Sequence, residues 1–509
     1  MGADPGRTSR FTETERKFEV VDSTVTPSFD GLSVVARVER LPSQSLDAVY
    51  FDTSEFDLAR HRITLRRRTG GADEGWHVKL PAGTAFGPDT RTEIRHPLGD
   101  DDDTSVPASI RDVVLAIVRD RALAPVARIS TLRTVEVLHD ADDNQIAEFC
   151  DDDVHASAVG GDEQRWREWE LELAPGIDAK LLDRLANRLY DAGARPAGHG
   201  SKLARTLGTD TVAETPPAPA DPLHRAVSIL VEELLEWDRA VRADSADAVH
   251  QMRVTVRKIR SLLQSAPGSF AESDEWVLDE LRELGAVLGV ARDAEVLAER
   301  YEAALDALPA AQVRGPVRQR LVDGARKRYQ VGWKRSLAAL RSPRYFRLLD
   351  ALDRLSAAAA ADSGPADSGR DRIGGAYRRV RKAAKTARKM AKDPDAHGAH
   401  LDEALHRIRK RAKRLRYTAA ASSKDMQGKG SKGKVAARAK ALQTLLGDHQ
   451  DSVVSRSHLV READQAHAAG EDTFTYGLLY QREIELAQRC EAQLDDALDR
   501  LAKAVKRAT

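Results

Sequence analysis

Cysteine is almost missing from this chain: Cys150 and Cys490 are the two in 509 residues, and they lie far apart. A disulfide framework is therefore not expected, and the pair fits a reducing cytosol. Aromatic residues make up 5% of the chain against 31% charged, which reads as soluble, helix-rich and well solvated. No stretch approaches the roughly 20 apolar residues of a membrane span. The opening MGADPGRTSR lacks the apolar run of a signal peptide. No membrane partner is expected, and the expected location is cytoplasmic. Net charge is also absent, with 80 basic and 80 acidic residues, which taken alone disfavours nucleic acid. That balance is an average over strongly charged segments, and local patches decide what a protein attracts.

Length divided by roughly 150 residues per domain gives about three packing units. Residues 13–20, 46–52, 61–69, 75–80, 91–96, 127–139, 145–151 and 166–173 read as strands, and 107–121 and 177–192 as helices. The chain divides into a first domain over 1–207, a Pro- and Ala-rich linker over 208–222 and a helical domain over 223–509. Within the helical domain, 356–375 reads as a hinge and 421–434 as a loop. The domain repeats itself, about 223–355 matching 374–509. His250, Arg253, Arg257, Lys258 and Arg260 align without gaps on His406, Arg409, Lys413, Arg414 and Arg416. Leu288-Gly289 and Asp293 follow the first run as Leu446-Gly447 and Asp451 follow the second. A duplicated helical bundle with a quasi-twofold axis is the economical arrangement.

At about 100° per residue, His250, Arg253, Arg257 and Arg260 form a stripe roughly 80° wide, with Met252, Val256 and Ile259 opposite. His406, Arg409, Lys413 and Arg416 repeat the stripe, with Ile408, Ala412 and Leu415 opposite. Solvated helix faces normally interleave acids at i,i+4. Neither 250–260 nor 406–416 contains an acid, and 376–392 carries eight more lysines and arginines without one. Like charges so arranged call for an anionic partner. Only Tyr377 and Tyr417 accompany these stripes, which disfavours base stacking and nucleic acid and favours a ligand that is all phosphate.

The duplicated H-x-x-R-x-x-x-[RK]-[RK]-x-R with its later LG-x-x-x-D resembles the conserved histidine α-helical domain, CHAD, over about 223–505. The resemblance implies an all-α domain of two pseudo-symmetric four-helix bundles that binds inorganic polyphosphate in a basic central groove. The residues implied to line it are His250, Arg253, Arg257, Arg260, His406, Arg409, Lys413 and Arg416.

In the first domain, alternation on strands sorts charge by face. Glu13, Glu15 and Lys17 share one face, as do Arg66 with Arg68, His77 with Lys79, and Glu93 with Arg95. Glu168, Glu170 and Glu172 share another, opposite Trp169, Leu171 and Leu173. If the antiparallel sheet closes, acids gather on one wall and bases on the other. Clustered carboxylates suit Mg²⁺ or Mn²⁺, and the facing cations suit a phosphate chain.

These strands resemble the CYTH superfamily, the triphosphate tunnel metalloenzymes, over about 11–207. Its E-x-E-x-K signature stands at 13–17, accompanied by YFDT at 50–53, LRRR at 65–68, HVKLPAG at 77–83, TEIR at 92–95, ELEL at 170–173 and SKLAR at 201–205. The resemblance implies an α+β domain built on a closed antiparallel β-barrel, a tunnel. Glu13, Glu15, Glu170 and Glu172 are implied to hold the metal, with Glu93, Glu148, Asp152 and Glu168 as competing ligands. Lys17, Arg66, Arg68, Lys79, Arg95, Arg133 and Lys202 are implied to grip phosphate, and Glu13, Glu15 and Lys17 to form the catalytic set.

The resulting expectation is metal-dependent hydrolysis of inorganic triphosphate or a related triphosphate, with inorganic or nucleotide triphosphate as the tunnel's partner, inorganic polyphosphate bound by the helical domain and the protein associated with polyphosphate granules. The alternatives are a class IV-type adenylate cyclase and a non-catalytic polyphosphate-binding adaptor.

Overall fold

The computed structural model describes residues 8–81, 89–99, 105–208, 222–265, 274–357, 369–391, 399–421 and 430–508. The chain separates into two compact units, residues 1–217 and 218–509. Most of the linker expected at 208–222, and the centres of the hinge at 356–375 and the loop at 421–434, lie outside the described residues.

The first unit is one antiparallel sheet closed on itself. Its strands are β1 (Ser9–Val20), β2 (Arg37–Arg40), β3 (Gln44–Asp52), β4 (Thr64–Thr69), β5 (Gly75–Pro81), β6 (Thr90–His96), β7 (Ala124–His139), β8 (Gln145–Ala158), β9 (Glu163–Leu173) and β10 (Arg195–Pro196). The ring runs β1-β6-β5-β4-β3-β7-β8-β9 and returns to β1, an eight-stranded barrel with β2 and β10 as short additions. Closure rests on β1 alone. Its residues Ser9–Thr14 pair with β6, and Glu15–Val20 pair with β9.

Alternation along each strand separates two faces, and the interior face carries both the charged residues and an apolar section made of Ala48, Ile129, Val154 and Trp166. Trp169, Leu171 and Leu173 point outward beneath helix α3 (Lys180–Asp191), packed against Leu182, Leu185 and Leu189. Leu65, Trp76 and Val78 are buried on the opposite outer wall, on the side covered by α1 (Asp57–Arg60) and α2 (Ala108–Val118). A short helix, α4 (Lys202–Leu207), carries Leu203 and Leu207 against Ala48, Tyr50, Ile129 and Trp166. Ser201 caps it by accepting from the Ala204 amide at 3.1 Å. The β4–β5 turn needs glycine at Gly70, where φ is +80° and a Cβ would lie 2.2 Å from the Ser45 carbonyl oxygen.

The second unit is all α. Helices α5 (Pro222–Arg242), α6 (Ala248–Ser265), α7 (Asp274–Asp306) and α9 (Pro343–Ala357) form one bundle, and α8 (Gly324–Leu340) packs along α7. The second bundle repeats it with α10 (Gly369–Met390), α11 (Ala399–Ala421), α12 (Ser431–Ala468) and α14 (Leu494–Lys506), and α13 (Phe474–Ala492) packs along α12. This is the pseudo-symmetric pair of four-helix bundles. Ile408, Ala412 and Leu415 are fully buried in the second core, as Met252, Val256 and Ile259 are in the first. A further core joins the repeats, where Tyr301 and Leu305 of α7 meet Leu459 and Ala466 of α12 with Tyr476 and Leu479 of α13.

Two boundaries depart from expectation. Helix α12 begins at Ser431, inside the expected loop, after an extended Gly430 and with Val435 fully buried. Helix α10 begins at Gly369, inside the expected hinge, and buried Ile373 and Ala376 anchor its first turns.

Candidate active site and candidate polyanion groove

Inside the barrel, register decides which charges meet. Glu15 is paired with Glu172 and Lys17 with Glu170 across β1 and β9, and Lys79 with Glu93 across β5 and β6. Lys79 Nζ lies 2.7 Å from Glu13 Oε2 and 3.3 Å from Glu15 Oε2. Lys17 Nζ lies 2.7 Å from Glu15 Oε1 and 3.3 Å from Glu170 Oε1. Arg95 pairs with both Glu13 and Glu93. Arg133 donates through Nε and Nη2 to Asp152, at 2.8 and 2.7 Å, and also pairs with Glu170. Burial alone would raise Glu15, Glu93, Asp152 and Glu170, yet the hydrogen bond from His77 and then Lys79 for Glu93, and the cationic partners of the other three, hold all four below the usual carboxylate range.

One acid is left out of this balance, and one arginine is only partly satisfied. Glu172 makes no hydrogen bond or ion pair among the described residues. Burial, with Glu13, Glu15 and Glu170 nearby and Lys79 only partly offsetting them, pushes it up to about 7. Arg68 is the cationic counterpart: burial and the adjacent Arg66 bring it down to about 10, although Asp73 pairs with it. Its Nε and that of Arg66 are buried without a hydrogen-bond partner.

One acidic cluster has metal-like spacing, with ligand atoms of Asp152, Glu168 and Glu170 within 4.8 Å of one another. Lys202 fills it: Nζ lies 2.8 Å from Asp152 Oδ2, 2.7 Å from Glu168 Oε1 and 2.8 Å from Glu170 Oε1. An ammonium at that position does the electrostatic work of a cation. A divalent ion fits better beside Glu172, the carboxylate without a cationic partner, where Glu13 and Glu15 lie close enough to raise it. Those oxygen donors suit Mg²⁺ or Mn²⁺.

Sequence reasoning assigned no role to Asp73 or Tyr50. Asp73 sits in the β4–β5 turn, where strand alternation gives no signal, and meets Arg68, Arg95 and, through its carbonyl, His77 Nε2 at 2.9 Å. Tyr50 accepts from Arg66 Nη1 at 3.4 Å.

In the helical unit, α6 and α11 meet, and the two stripes share one half-buried space. Burial first, then Arg257, Arg409, Arg253 and Arg260, bring Lys413 down to about 7. Arg257 is lowered by burial and by Arg253, Arg409 and Arg416, with Tyr417 opposing. Nε of Arg257, Arg260 and Arg409 is buried without a hydrogen-bond partner. His250 and His406, at the heads of the stripes, are lowered by burial and by neighbouring cations.

The LG-x-x-x-D motif acquires a physical role here. A Cβ on Gly289 would lie 3.4 Å from Arg253 Nη2, and one on Gly447 3.5 Å from Arg409 Nη2. Each glycine gives the stripe arginine of its own repeat a flat bed on the neighbouring helix. Arg253 Nη1 also lies 3.5 Å from Asp293 Oδ1, and Asp451 lies within electrostatic reach of Arg409.

Residues 12–192 match the CYTH domain and residues 225–460 the CHAD domain. The chain belongs to the family that joins a CYTH tunnel domain to a CHAD helical domain. Over 526 aligned positions it is 60% identical to the uncharacterized protein Rv2226 of Mycobacterium tuberculosis (strain ATCC 25618 / H37Rv), with all of both chains covered. Among solved structures it is similar to PptA from Streptomyces chartreusis, at 17% identity and TM-score 0.44, covering 55% of this chain and 99% of that one. It is also similar to the CHAD domain of the plant Ricinus communis, at 24% identity and TM-score 0.39, covering 55% and 90%. Members of the CYTH family bind triphosphates and act on phosphoanhydrides with a metal. Among the described residues, no helix is long and apolar enough to cross a membrane.

Proposed function

We propose that the tunnel hydrolyses inorganic triphosphate or a related triphosphate with Mg²⁺ or Mn²⁺, and that the helical domain binds inorganic polyphosphate. The observation that carries the tunnel reading is its unfinished charge pairing: Glu172 has no cation, while Arg66 and Arg68 hold buried, unpartnered Nε groups. A metal–triphosphate complex supplies both missing partners at once.

Glu13, Glu15, Glu170 and Glu172 would hold the metal, which when bound supplies Lewis-acid neutralisation and activation of water. Lys17, Arg66, Arg68, Lys79, Arg95 and Arg133 bind phosphate oxygens and hold the chain in line for attack. Lys79 and Arg95 must leave Glu13 to do so, which makes cation and phosphate binding mutually dependent. Lys202 keeps Asp152 and Glu168 neutralised at the α4 end of the barrel, while Glu170, shared among Lys202, Lys17 and Arg133, would exchange one of these cations for the metal. Charge stabilisation by these fixed cations is the main term such a site offers to phosphoryl transfer.

In the helical domain, His250, Arg253, Arg257, Arg260, His406, Arg409, Lys413 and Arg416 contact phosphate. Their crowding without an acid in either stripe supports this reading. The test is phosphate release from inorganic triphosphate, ATP and long polyphosphate with each metal, comparing wild type with Glu15→Ala. Equal activity in the variant would remove the tunnel assignment, and cyclic AMP as the product from ATP would replace hydrolase by cyclase. Turnover of none of them, with ligand still bound, would leave the adaptor reading.

A further inference from the structure

Helix α11 carries cations on two sides. At about 100° per residue, the groove stripe His406–Arg409–Lys413–Arg416 spans roughly 80°. Arg407, Lys410, Arg411 and Arg414 continue that arc for roughly another 140°, up to the buried seam of Ile408, Ala412 and Leu415. All four of these outer cations are exposed. The arc runs on to the neighbouring helix, where Arg379 of α10 lies among Arg378, Arg411 and Arg414. Arg378, Arg381, Lys382 and Lys385 of α10 are exposed too. Among the described residues, the ion pair on α10 is the one from Arg388 to Asp495, at 2.7 Å.

The first repeat shows that the bundle does not require this. The positions equivalent to Arg407, Lys410, Arg411 and Arg414 are Gln251, Val254, Thr255 and Lys258. Lys258 is neutralised by Glu233 of α5 at 2.9 Å, and Thr255 donates to the same carboxylate at 2.9 Å. Helix α5 thus brings acids where α10, its counterpart, brings arginine and lysine. Uncompensated like charges on helices cost stability, so the basic face of the second repeat implies an anion of its own. The exposed large apolar side chains of the described residues lie outside α10 and α11. The face therefore offers charge without stacking or membrane insertion, which fits a bare phosphate chain.

We propose that the outer α10–α11 face is a second phosphate-polyanion site, continuous with the groove over α11, which long polyphosphate chains occupy and short ones do not. The proposal rests on the groove reading above, and the test separates the two. Binding to the full chain is followed by fluorescence anisotropy with polyphosphate of about ten and about a hundred phosphates, across a salt series. The variants are the outer triple Arg379→Gln/Arg411→Gln/Arg414→Gln and the groove pair Arg257→Gln/Lys413→Gln, with circular dichroism to confirm folding. The outer triple is expected to bind the short chain as wild type does. It should bind the long chain about tenfold more weakly, and the slope of log K against log salt should fall by two to three, at about 0.7–0.9 per lost cation. Unchanged long-chain affinity and slope would overturn the proposal and leave the groove reading intact. A groove pair that still binds the short chain at full strength would instead remove the groove reading. Duplex DNA that binds more tightly than long polyphosphate, and loses that binding in the outer triple, would overturn the proposal in favour of nucleic acid.

Discussion

Glu15 of β1 stands directly opposite Glu172 of β9, across the seam that closes the barrel. Like charges facing one another across strands are destabilising. Lys17 and Lys79 hold Glu15, while nothing among the described residues pairs with Glu172. The seam therefore holds one carboxyl group without a cationic partner, and the proposed metal is its counter-ion. Mn²⁺ and inorganic triphosphate together should raise the melting temperature by more than the sum of their separate effects, because each frees partners for the other. Glu172→Gln should abolish the Mn²⁺ shift and lower phosphate release by about a hundredfold, the scale of losing one preorganised electrostatic partner. Its ligand-free melting temperature should hold or rise, since the repulsion is gone. A variant that keeps the metal shift would show that Glu172 is not a ligand.

Lys202 makes the opposite case, a buried cation whose removal uncovers acids. Lys202→Met leaves Asp152 with Arg133, Glu170 with Arg133 and Lys17, and Glu168 with no cation, only the Trp166 indole. Breaking a buried ionic cluster from one side costs about 3–5 kcal/mol. Thermal denaturation should show that loss. Because the three acids have metal-like spacing, millimolar Mn²⁺ should restore part of it in the variant without the same gain in wild type. A variant as stable as wild type without metal would mean that Lys202 does not neutralise the cluster.

Much of this architecture was legible in the sequence because alternation is a local property. Strands over 13–20, 75–80 and 91–96 emerge as Ser9–Val20, Gly75–Pro81 and Thr90–His96, with acids and bases on the interior faces. The Arg37–Arg40 and Arg195–Pro196 strands and the helix Lys202–Leu207 are too short to show a period. The partners inside the tunnel were not legible either. Whether Lys202 faces phosphate or the acids of β8 and β9 depends on how a six-residue helix docks onto strands far away in sequence. Asp73 was invisible for a related reason, since a turn residue belongs to neither face until the register is known. In the helical half, the stripe spacing shows which residues share a face, but only the packing of α6 on α11 brings the two stripes together. The glycine of each LG pair takes on meaning once Arg253 and Arg409 are seen lying against it.

Two helical glycines should respond oppositely to alanine. At Gly332 of α8 a Cβ would sit 2.6 Å from the Ala291 amide nitrogen and 2.8 Å from its Cα, both backbone atoms of α7. Gly332→Ala must push the helices apart, at a cost of about 1–3 kcal/mol. At Gly447 of α12 the nearest atoms belong to the movable Arg409 guanidinium, at 3.5 Å or more. Gly447→Ala should then gain about 0.5–1 kcal/mol of helix propensity. Chemical denaturation of the two variants beside wild type decides the matter, and equal effects would contradict the packing described for both sites.

The groove itself should be sensitive to pH through Lys413. Burial and four neighbouring arginines bring this lysine from 10.5 to about 7 in the free protein. Between these values the unfolded chain binds more protons than the folded one, so stability rises with pH over that window. Below pH 7 both states are protonated, and the full penalty of a buried charge among arginines applies. A bound phosphate chain reverses the balance by favouring the charged form, so above pH 7 binding takes up a proton and affinity falls as pH rises. From pH 7 to 9, then, ligand-free stability should climb while polyphosphate affinity drops, by up to about tenfold per pH unit. Lys413→Arg should flatten the affinity slope, because a guanidinium stays charged throughout. Ionisation of the polyphosphate ends is common to both proteins and cancels in the comparison. Parallel slopes for wild type and Lys413→Arg would mean that Lys413 does not gain its proton on binding, and would place the phosphate chain away from the centre of the groove.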